Sequence, residues 1–472
     1  MDKVQLAVIG AGPGGYAAAF RAAGLGLQVA LIDLEPNPGG VCLYRGCIPS
    51  KALLHVARLL AETEEAKHWG LDFARPAIDL DRLRAWKDSV IARMTGGLGQ
   101  MAKLHKVRQI QGRARFLDAH ILRIQKIGGG EEDLSFDHAI LATGSRPAKI
   151  PTFDIGSPRV LDSTGALALE SIPSSLLVVG GSYIGLEMAT VYAALGSQVS
   201  VVEMMPGLIP MADRDLVKPL AARLEKRLHR IMLGTKVLGL QEREQGLEVR
   251  FEDSQGKASS EVYEKVLVSV GRRPNSEDLG LENTRVKVSA RGFVEVDVQR
   301  RTAEPSIFAI GDLTGDPMLA HKASHEAAVA AEVLAGHKAA FEPTAIPAVV
   351  FTDPEIAWCG LTETQAQEQK RPIAVARFPW AASGRATTLD RSEGLTKLII
   401  DPDTQRILGA GIVGVGAGEL IAEATLAVEM ATLATDLKLT IHPHPTLSET
   451  LMEAAEVYFG QSPHLFTPPK RK

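Results

Sequence analysis

The chain has 472 residues, 45% apolar and 23% charged, with a net charge of −4 at neutral pH. That length argues for about three domains at roughly 150 residues each, and the composition excludes a disordered chain. The weak negative charge excludes electrostatic capture of nucleic acid, no run approaches the roughly eighteen apolar residues of a membrane span, and three cysteines exclude a disulfide framework. Met1-Asp2-Lys3 leads straight into a strand without the basic region, apolar stretch and cleavage site of a leader, so a cytoplasmic protein is expected.

Residues 4–9 form a short apolar predicted strand running into Gly10, Gly12 and Gly15. A helix over 16–23 and a second strand over 28–32 follow, ending at Asp33. In a strand–turn–helix–strand unit of this kind the first glycine makes the tight turn, the second lets a pyrophosphate approach the backbone, and the third lets helix and strand pack. The helix N-terminus offers unpaired N–H groups to phosphate, and an acid after the second strand takes the ribose hydroxyls. A lone GxGxxG is weak evidence; in this context, with Asp33, it is strong.

Cys42 and Cys47 follow within the segment 39–51. Residues five apart in a regular helix are separated by about 7.5 Å along its axis and lie on different faces, whereas a disulfide rarely spans more than about 7 Å between Cα atoms. The segment must bend for the thiols to join. Gly46 loosens the backbone, and Pro49 cannot donate to the carbonyl of Arg45. Two buried cysteines that never meet are the commoner fate; the pairing, the local distortion and the adjacent fingerprint favour a redox-active pair.

Residues 139–145 and 307–312 read as strands ending in glycine turns, the second adding Asp312. Between them the nucleotide unit recurs: a strand over 176–179, Gly180, Ser182 and Gly185, a helix over 186–195, and a strand over 198–202 ending at Glu203. The interval from first glycine to acid, 10 to 33 and 180 to 203, is the same in both copies. Ser182 replaces the middle glycine and is small enough to keep the turn. Glu203 hydrogen-bonds a free 2′-hydroxyl and repels a 2′-phosphate, and no Arg occurs in 204–209, so NAD is favoured over NADP.

From about residue 341 the texture changes to strands such as 395–400 and 407–412, an alanine-rich helix over 419–432, and His442-Pro443-His444-Pro445 before Glu449. His444 alone reads as a surface histidine; the thiol pair upstream reverses those odds, because thiol–disulfide exchange needs a thiolate and imidazole ordinarily titrates near pH 6.5. His442 is the weaker base, with no carboxylate at the matching offset. Cys359 has no partner and reads as buried core. The tail 468–472 reads as disordered and solvated.

Together the first fingerprint, GGxCLxxGCIPSK at 39–51, ATGSRP at 142–147, the second fingerprint at 180–187, SVGRRPN at 269–275, AIGD at 309–312, MLAHKA at 318–323 and HPTLSE at 444–449 resemble the pyridine nucleotide–disulfide oxidoreductases. The likeness runs through essentially the whole chain and is strongest to the branch that oxidises dihydrolipoyl groups. It implies an α/β fold of two Rossmann-like nucleotide-binding domains plus an α+β C-terminal dimerisation domain. The implied order is an FAD domain over 1–148, an NAD domain over 149–274, a central region over 275–340 completing the FAD domain, and an interface domain over 341–472.

The resemblance also implies an NAD-dependent oxidation of protein-bound dihydrolipoyl groups through FAD and a Cys42–Cys47 disulfide, carried out by a homodimer that meets a lipoylated carrier protein or lipoyl domain. Cys47 is implied to face the flavin and Cys42 to exchange with substrate. Lys51, paired with Glu187, lies beside the flavin, and His444 with Glu449 forms the acid–base dyad reaching the partner subunit's thiols across a cis His444–Pro445 bond. The implied FAD residues are Gly10, Gly12, Gly15, Asp33, Gly40, Lys51, Gly112, Thr143, Gly144, Ser145, Asp312 and the run Met318, Leu319, Ala320 and His321. Those for NAD are Gly180, Ser182, Gly185, Glu187, Glu203, Val237 and Gly271. No metal is implied. Alternatives are a glutathione- or mercuric-type reductase running in the opposite direction, a related enzyme serving a specialised carrier, and a non-catalytic flavoprotein. The chain departs from the family's usual residues at Val41, Tyr44 and Arg45; Arg45 either stabilises a thiolate or is a solvent-facing arginine on a distorted helix.

Overall fold

A mixed, largely parallel sheet, a parallel sheet and an antiparallel sheet organise the chain. A computed structural model describes residues 2–466; the tail 468–472 lies outside the described residues. In the first sheet Asp2–Ile9 lies between Val29–Asp33 and Glu131–Leu141, all parallel. Arg108–Phe116 flanks Val29–Asp33, and Ile307–Ala309 returns from far along the chain to pair with Glu131–Leu141. Helices Pro13–Gly24 and Ala320–Leu334 pack on this sheet, with Ala18, Ala19, Ala22, Ala327, Ala330 and Ala331 fully buried beside Leu6, Val8 and Phe308. Strands covered on both faces read as continuous apolar runs rather than alternating ones.

The second sheet is fully parallel, in the order Arg230–Met232, Gln198–Val202, Ser175–Val179, Lys265–Val268, Val160–Leu161. Leu6 opposes Val29 in the first unit and Ser175 opposes Gln198 in the second, the same offset in both. The sequence repeat is thus a structural repeat.

The C-terminal sheet is antiparallel, Ala348–Val350, Glu355–Gly360, Ile407–Gly414, Leu395–Ile400, Ala374–Pro379. Trp380 is fully buried against it. A Cβ at Gly394 or Gly414 would lie 2.4 or 2.2 Å from its ring, so both glycines make room for the indole. The indole N–H donates to Thr396 Oγ1 at 2.9 Å, and Thr396 Oγ1 donates to Thr450 Oγ1 at 2.8 Å. That buried chain seats the helix Glu449–Phe459 and fixes where Glu449 emerges.

Two ion networks lock the three units together. Lys397, 1% exposed, donates to Asp213 at 2.6 Å and to Asp215 and Glu363 at 2.7 Å. Arg223 bonds Glu65 and Asp353, both at 2.5 Å, and Arg391 bonds the other oxygen of Asp353. Removing one member of so buried a set strands the rest and typically costs about 3–5 kcal/mol.

Candidate active site

The two glycine turns share one geometry. Gly10 has φ +96° and Gly180 has φ +110°, and a Cβ at either would strike the backbone of Ala142 or Ser269, at 2.4 and 2.7 Å. At Gly15 and Gly185 a Cβ would fall 1.8 and 2.2 Å from the carbonyl of the first glycine. Ser182 sits at φ −91°, ψ 180°, extended backbone open to any residue, which is why serine is tolerated there. Gly12 and Ser182 make no side-chain cap, and neither helix has an acid in its first turn, so the helical N–H groups are left for an anion.

Asp33 Oδ2 accepts from Ala11 N–H at 2.6 Å and Oδ1 from Glu35 N–H at 2.9 Å. Glu203 repeats the pattern with Gly181 N–H at 2.6 Å and Met205 N–H at 2.7 Å. Each acid therefore latches its glycine turn, and an ionised carboxylate has acceptor sites left for ribose hydroxyls. Gly40, φ +55°, packs so closely on Gly12 that a Cβ would lie 2.5 Å from its Cα. A Cβ there would fill the cradle beside the pyrophosphate turn. The donors and the acid fit a dinucleotide at each turn, and the Gly40 cradle adds to the first.

The thiols meet at a helix break. Gly40–Arg45 and Cys47–Glu65 are separate helices, joined at Gly46 with φ −143° and ψ −116°. A Cβ on Gly46 would lie 2.8 Å from the carbonyl of Val41. The break falls at Gly46, and Pro49 lies in the first turn of the second helix, where it offers no N–H to the Arg45 carbonyl. Cys42 and Cys47 are free thiols on either side of that break. The neighbouring Cys42 thiol and the charge of Lys51 bring Cys47 down to about 7 against the opposing effect of burial. Cys47 and burial push Cys42 up.

Lys51 Nζ bonds both oxygens of Glu187, at 3.0 and 2.9 Å, joining the thiol-bearing helix to the helix of the second glycine turn. Of the two readings of Arg45 the solvent-facing one fits, its side chain 39% exposed at the end of the helix Gly40–Arg45. It pairs with Glu35, while Tyr44 donates to the carbonyl of Asn37 at 3.1 Å. Both tie the helix Gly40–Arg45 to the loop after Asp33, and Arg45 is not among the groups that shift either thiol.

His444 Nδ1 and Glu449 Oε1 are 2.9 Å apart, and Glu449 Oε2 accepts from Thr446 N–H at 2.7 Å. Burial raises the Glu449 carboxyl, but these bonds outweigh it and hold it below the usual range. The His444–Pro445 bond is cis. His444 is 74% exposed in the single chain, and no bond among the described residues links it to Cys42 or Cys47. His442 does have a carboxylate: its Nε2 lies 2.8 Å from Glu423, nineteen residues upstream. A helix-spacing search misses a partner on another helix.

The remaining predicted positions separate into two kinds. ATGSRP and SVGRRPN zip together as antiparallel strands Ser145–Pro147 and Arg272–Pro274. Thr143 Oγ1 donates to Asn275 O at 2.8 Å, Asn275 N–H donates to Gly144 O at 2.9 Å, and Ser145 Oγ reaches Asp312 Oδ2 at 2.5 Å. Met318 and Leu319 precede the helix Ala320–Leu334, and His321 Nε2 donates to Pro347 O at 2.8 Å. Gly112 is needed by packing, since a Cβ would meet Gln125 O at 2.6 Å. Val237 packs on the second sheet's core, while Gly271, φ +126°, has open space around it. Cys359 is buried, and burial pushes its thiol up to about 11.

Sequence reasoning missed Glu326 and Phe351. Glu326 is fully buried, takes Gly311 N–H at 2.5 Å and pairs with Arg300 at 2.9 Å, so it holds the AIGD turn from below. Phe351 N–H donates to Glu187 at 3.1 Å. No local pattern marks either residue.

Residues 4–327 match the family model described as pyridine nucleotide-disulphide oxidoreductase, and 346–455 match its dimerisation domain. The chain is 49% identical to a dihydrolipoyl dehydrogenase of Haemophilus influenzae over 460 residues, 97% of this chain and 95% of the relative. It is 43% identical to one of Geobacillus stearothermophilus, covering 98% of each. Among solved structures it resembles LpdA of Mycobacterium tuberculosis (TM-score 0.89, 26% identity, 96% and 99% coverage). It also resembles the HOCl-induced flavoprotein disulfide reductase RclA of Escherichia coli (TM-score 0.84, 29% identity, 96% and 99% coverage). With both halves of the family's architecture matched and the thiol pair, twin nucleotide turns and His–Glu dyad present, the chain belongs to the pyridine nucleotide-disulphide oxidoreductases.

Proposed function

We propose that the protein oxidises protein-bound dihydrolipoyl groups to lipoyl groups with NAD as acceptor. The observation that carries this reading is the thiol pair flanking the Gly46 break, with the Lys51–Glu187 ion pair on the same helix as Cys47. FAD and NAD are the cofactors, and FAD supplies the two-electron relay between the thiols and NAD. The first glycine turn, Gly40 and Asp33 would hold FAD, and the second turn and Glu203 would hold NAD.

The chain's own steps follow from the geometry of the groups. In the oxidised enzyme Cys42 and Cys47 form a disulfide. His444 takes the proton of one dihydrolipoyl thiol, and the resulting thiolate attacks Cys42 Sγ. The Cys42–Cys47 bond breaks and Cys47 leaves as a thiolate, favoured by Lys51 and its lowered proton affinity. The second substrate thiol then attacks the mixed disulfide, the lipoyl ring closes, and Cys42 leaves and takes a proton. Glu449 fixes the imidazole ring and offsets its positive charge. The exposure of His444 in the single chain and the match to a dimerisation domain support a homodimer in which each dyad serves the partner's thiols.

A glutathione- or mercuric-type reductase is the less favoured reading, because Glu203 opposes a 2′-phosphate. Steady-state assay with a lipoylated carrier domain, dihydrolipoamide and NAD tests the proposal. Turnover of both lipoyl substrates with NAD is expected. Turnover of glutathione disulfide with NADPH and none of dihydrolipoamide with NAD would replace it.

A further inference from the structure

Lys51 is bounded on one side by Glu187 and on another by an aromatic face. Its Nζ lies 4.4 Å from the ring centroid of Phe351, within cation–π range. The same residue donates its backbone N–H to Glu187 Oε1 at 3.1 Å. One residue just past the first strand of the C-terminal sheet therefore holds both members of an ion pair built by the two nucleotide units. Its own position is fixed. Val350 before it is buried, Thr352 Oγ1 bonds Pro354 O at 2.8 Å, and Asp353 is gripped by Arg223 and Arg391.

The choice of an aromatic has a physical reason. Lysine is a flexible point charge that needs to be held to act in one direction. Glu187 holds it, but the charge of Glu187 also disfavours a thiolate at Cys47. A second carboxylate would hold the ammonium better and oppose the thiolate more. The ring quadrupole attracts the cation with no net charge, so it steadies Lys51 without that opposition. Phe351 also packs against the core formed with Leu53 and Ile356, a role any bulky apolar side chain would serve.

We propose that Phe351 is a positioning residue: its ring and backbone N–H clamp the Lys51–Glu187 pair so that the Lys51 charge is held on Cys47. The inference rests on the reading of Cys47 as the thiol that faces the flavin.

The test uses the holoenzyme in a Cys42→Ser background, which keeps a hydroxyl donor beside Cys47. Two pH titrations are read, the alkylation rate of Cys47 and the long-wavelength absorbance of a thiolate beside the flavin. Phe351→Leu is expected to move both midpoints upward by about half a pH unit to one unit, and Phe351→Tyr to restore them. A leucine variant with the parent's midpoints would overturn the clamp, leaving Phe351 a packing residue. Should the leucine variant fail to bind flavin, Phe351→Met carries the same comparison. A parent that alkylates normally but lacks the long-wavelength band would overturn the flavin-facing assignment of Cys47, while the alkylation midpoints still decide the clamp.

Discussion

Replacing Glu449 by glutamine changes the dyad by one atom and removes one acceptor. Two groups now use its oxygens, the His444 ring at 2.9 Å and Thr446 N–H at 2.7 Å. An amide has a single acceptor oxygen, so Glu449→Gln satisfies one of the two and turns an N–H₂ toward the other. A hydrogen bond to a charged group is worth about 1.5–3 kcal/mol, which corresponds to about 10- to 150-fold in rate. Thr446 is tied back by its own hydroxyl to Pro443 O at 2.8 Å and cannot swing away, so the loss falls on the His444 ring. The carboxyl of Glu449 lies below the usual range because Thr446 and His444 outweigh the effect of burial. It therefore stays ionised above about pH 4, and its own titration does not enter the neutral range. The expected outcome is a loss of at least about tenfold in kcat/KM for dihydrolipoamide across pH 6–8. Flavin reduction by NADH, which does not use the dyad, should be unchanged. A glutamine variant within twofold of the parent would refute the orienting role of Glu449.

Three further outcomes are expected. With Glu203 placed to refuse a 2′-phosphate, kcat/KM for NAD should exceed that for NADP at least about tenfold, or about 1.4 kcal/mol; equal values would exclude that role. Lys397→Met leaves Asp213, Asp215 and Glu363 facing one another with only Arg377, paired to the last two, to offset them, and should lower the thermal midpoint through a loss of about 3 kcal/mol. Burial raises Asp213 and Asp215, but the bonds from Lys397, joined by the Glu363 and Thr364 N–H groups at Asp213 and by Arg377 at Asp215, more than reverse it, and both end below the usual range. Their contribution in the parent is thus complete above about pH 4 and is lost only as pH falls through the lowered values, so the difference between parent and variant should shrink in acid and not in base. Finally, if each dyad serves the partner's thiols, mixing inactive His444→Ala with inactive Cys42→Ser subunits should recover about a quarter of parental activity, since half the dimers are mixed and each holds one intact site. No recovery after verified subunit exchange would place the dyad and thiols on one chain.

What could be read from the sequence was what one element or one short loop carries. Gly10 with Asp33 and Gly180 with Glu203 were visible because each pair belongs to a single strand–turn–helix–strand unit, whose geometry fixes the spacing. The thiols were visible because both lie within one segment, whose bend falls at Gly46, three residues before Pro49. The partners that cross between elements were not visible. Glu423 reaches His442 from another helix, Glu35 takes Arg45 away from the thiols, and Glu326 supports the AIGD turn from beneath. Charge and spacing say that such residues need partners. Only the packing of distant elements says which.

The same distinction bears on why the site lies where it does. Lys51 comes from the first unit, Glu187 from the second and Phe351 from the C-terminal unit, and the three meet on the helix of Cys47. The ammonium that favours the Cys47 thiolate is therefore held only when all three units are docked. The docking in turn rests on the Lys397 and Arg223 networks, which join these units at buried or half-buried positions. A substitution in those networks, far from the thiols, should act on Cys47 through the placement of Lys51 as well as on stability. Such a variant would show an altered thiolate titration while its glycine turns still hold both nucleotides. The reactive thiol is in this sense a property of the assembled units, although both cysteines lie within six residues of sequence.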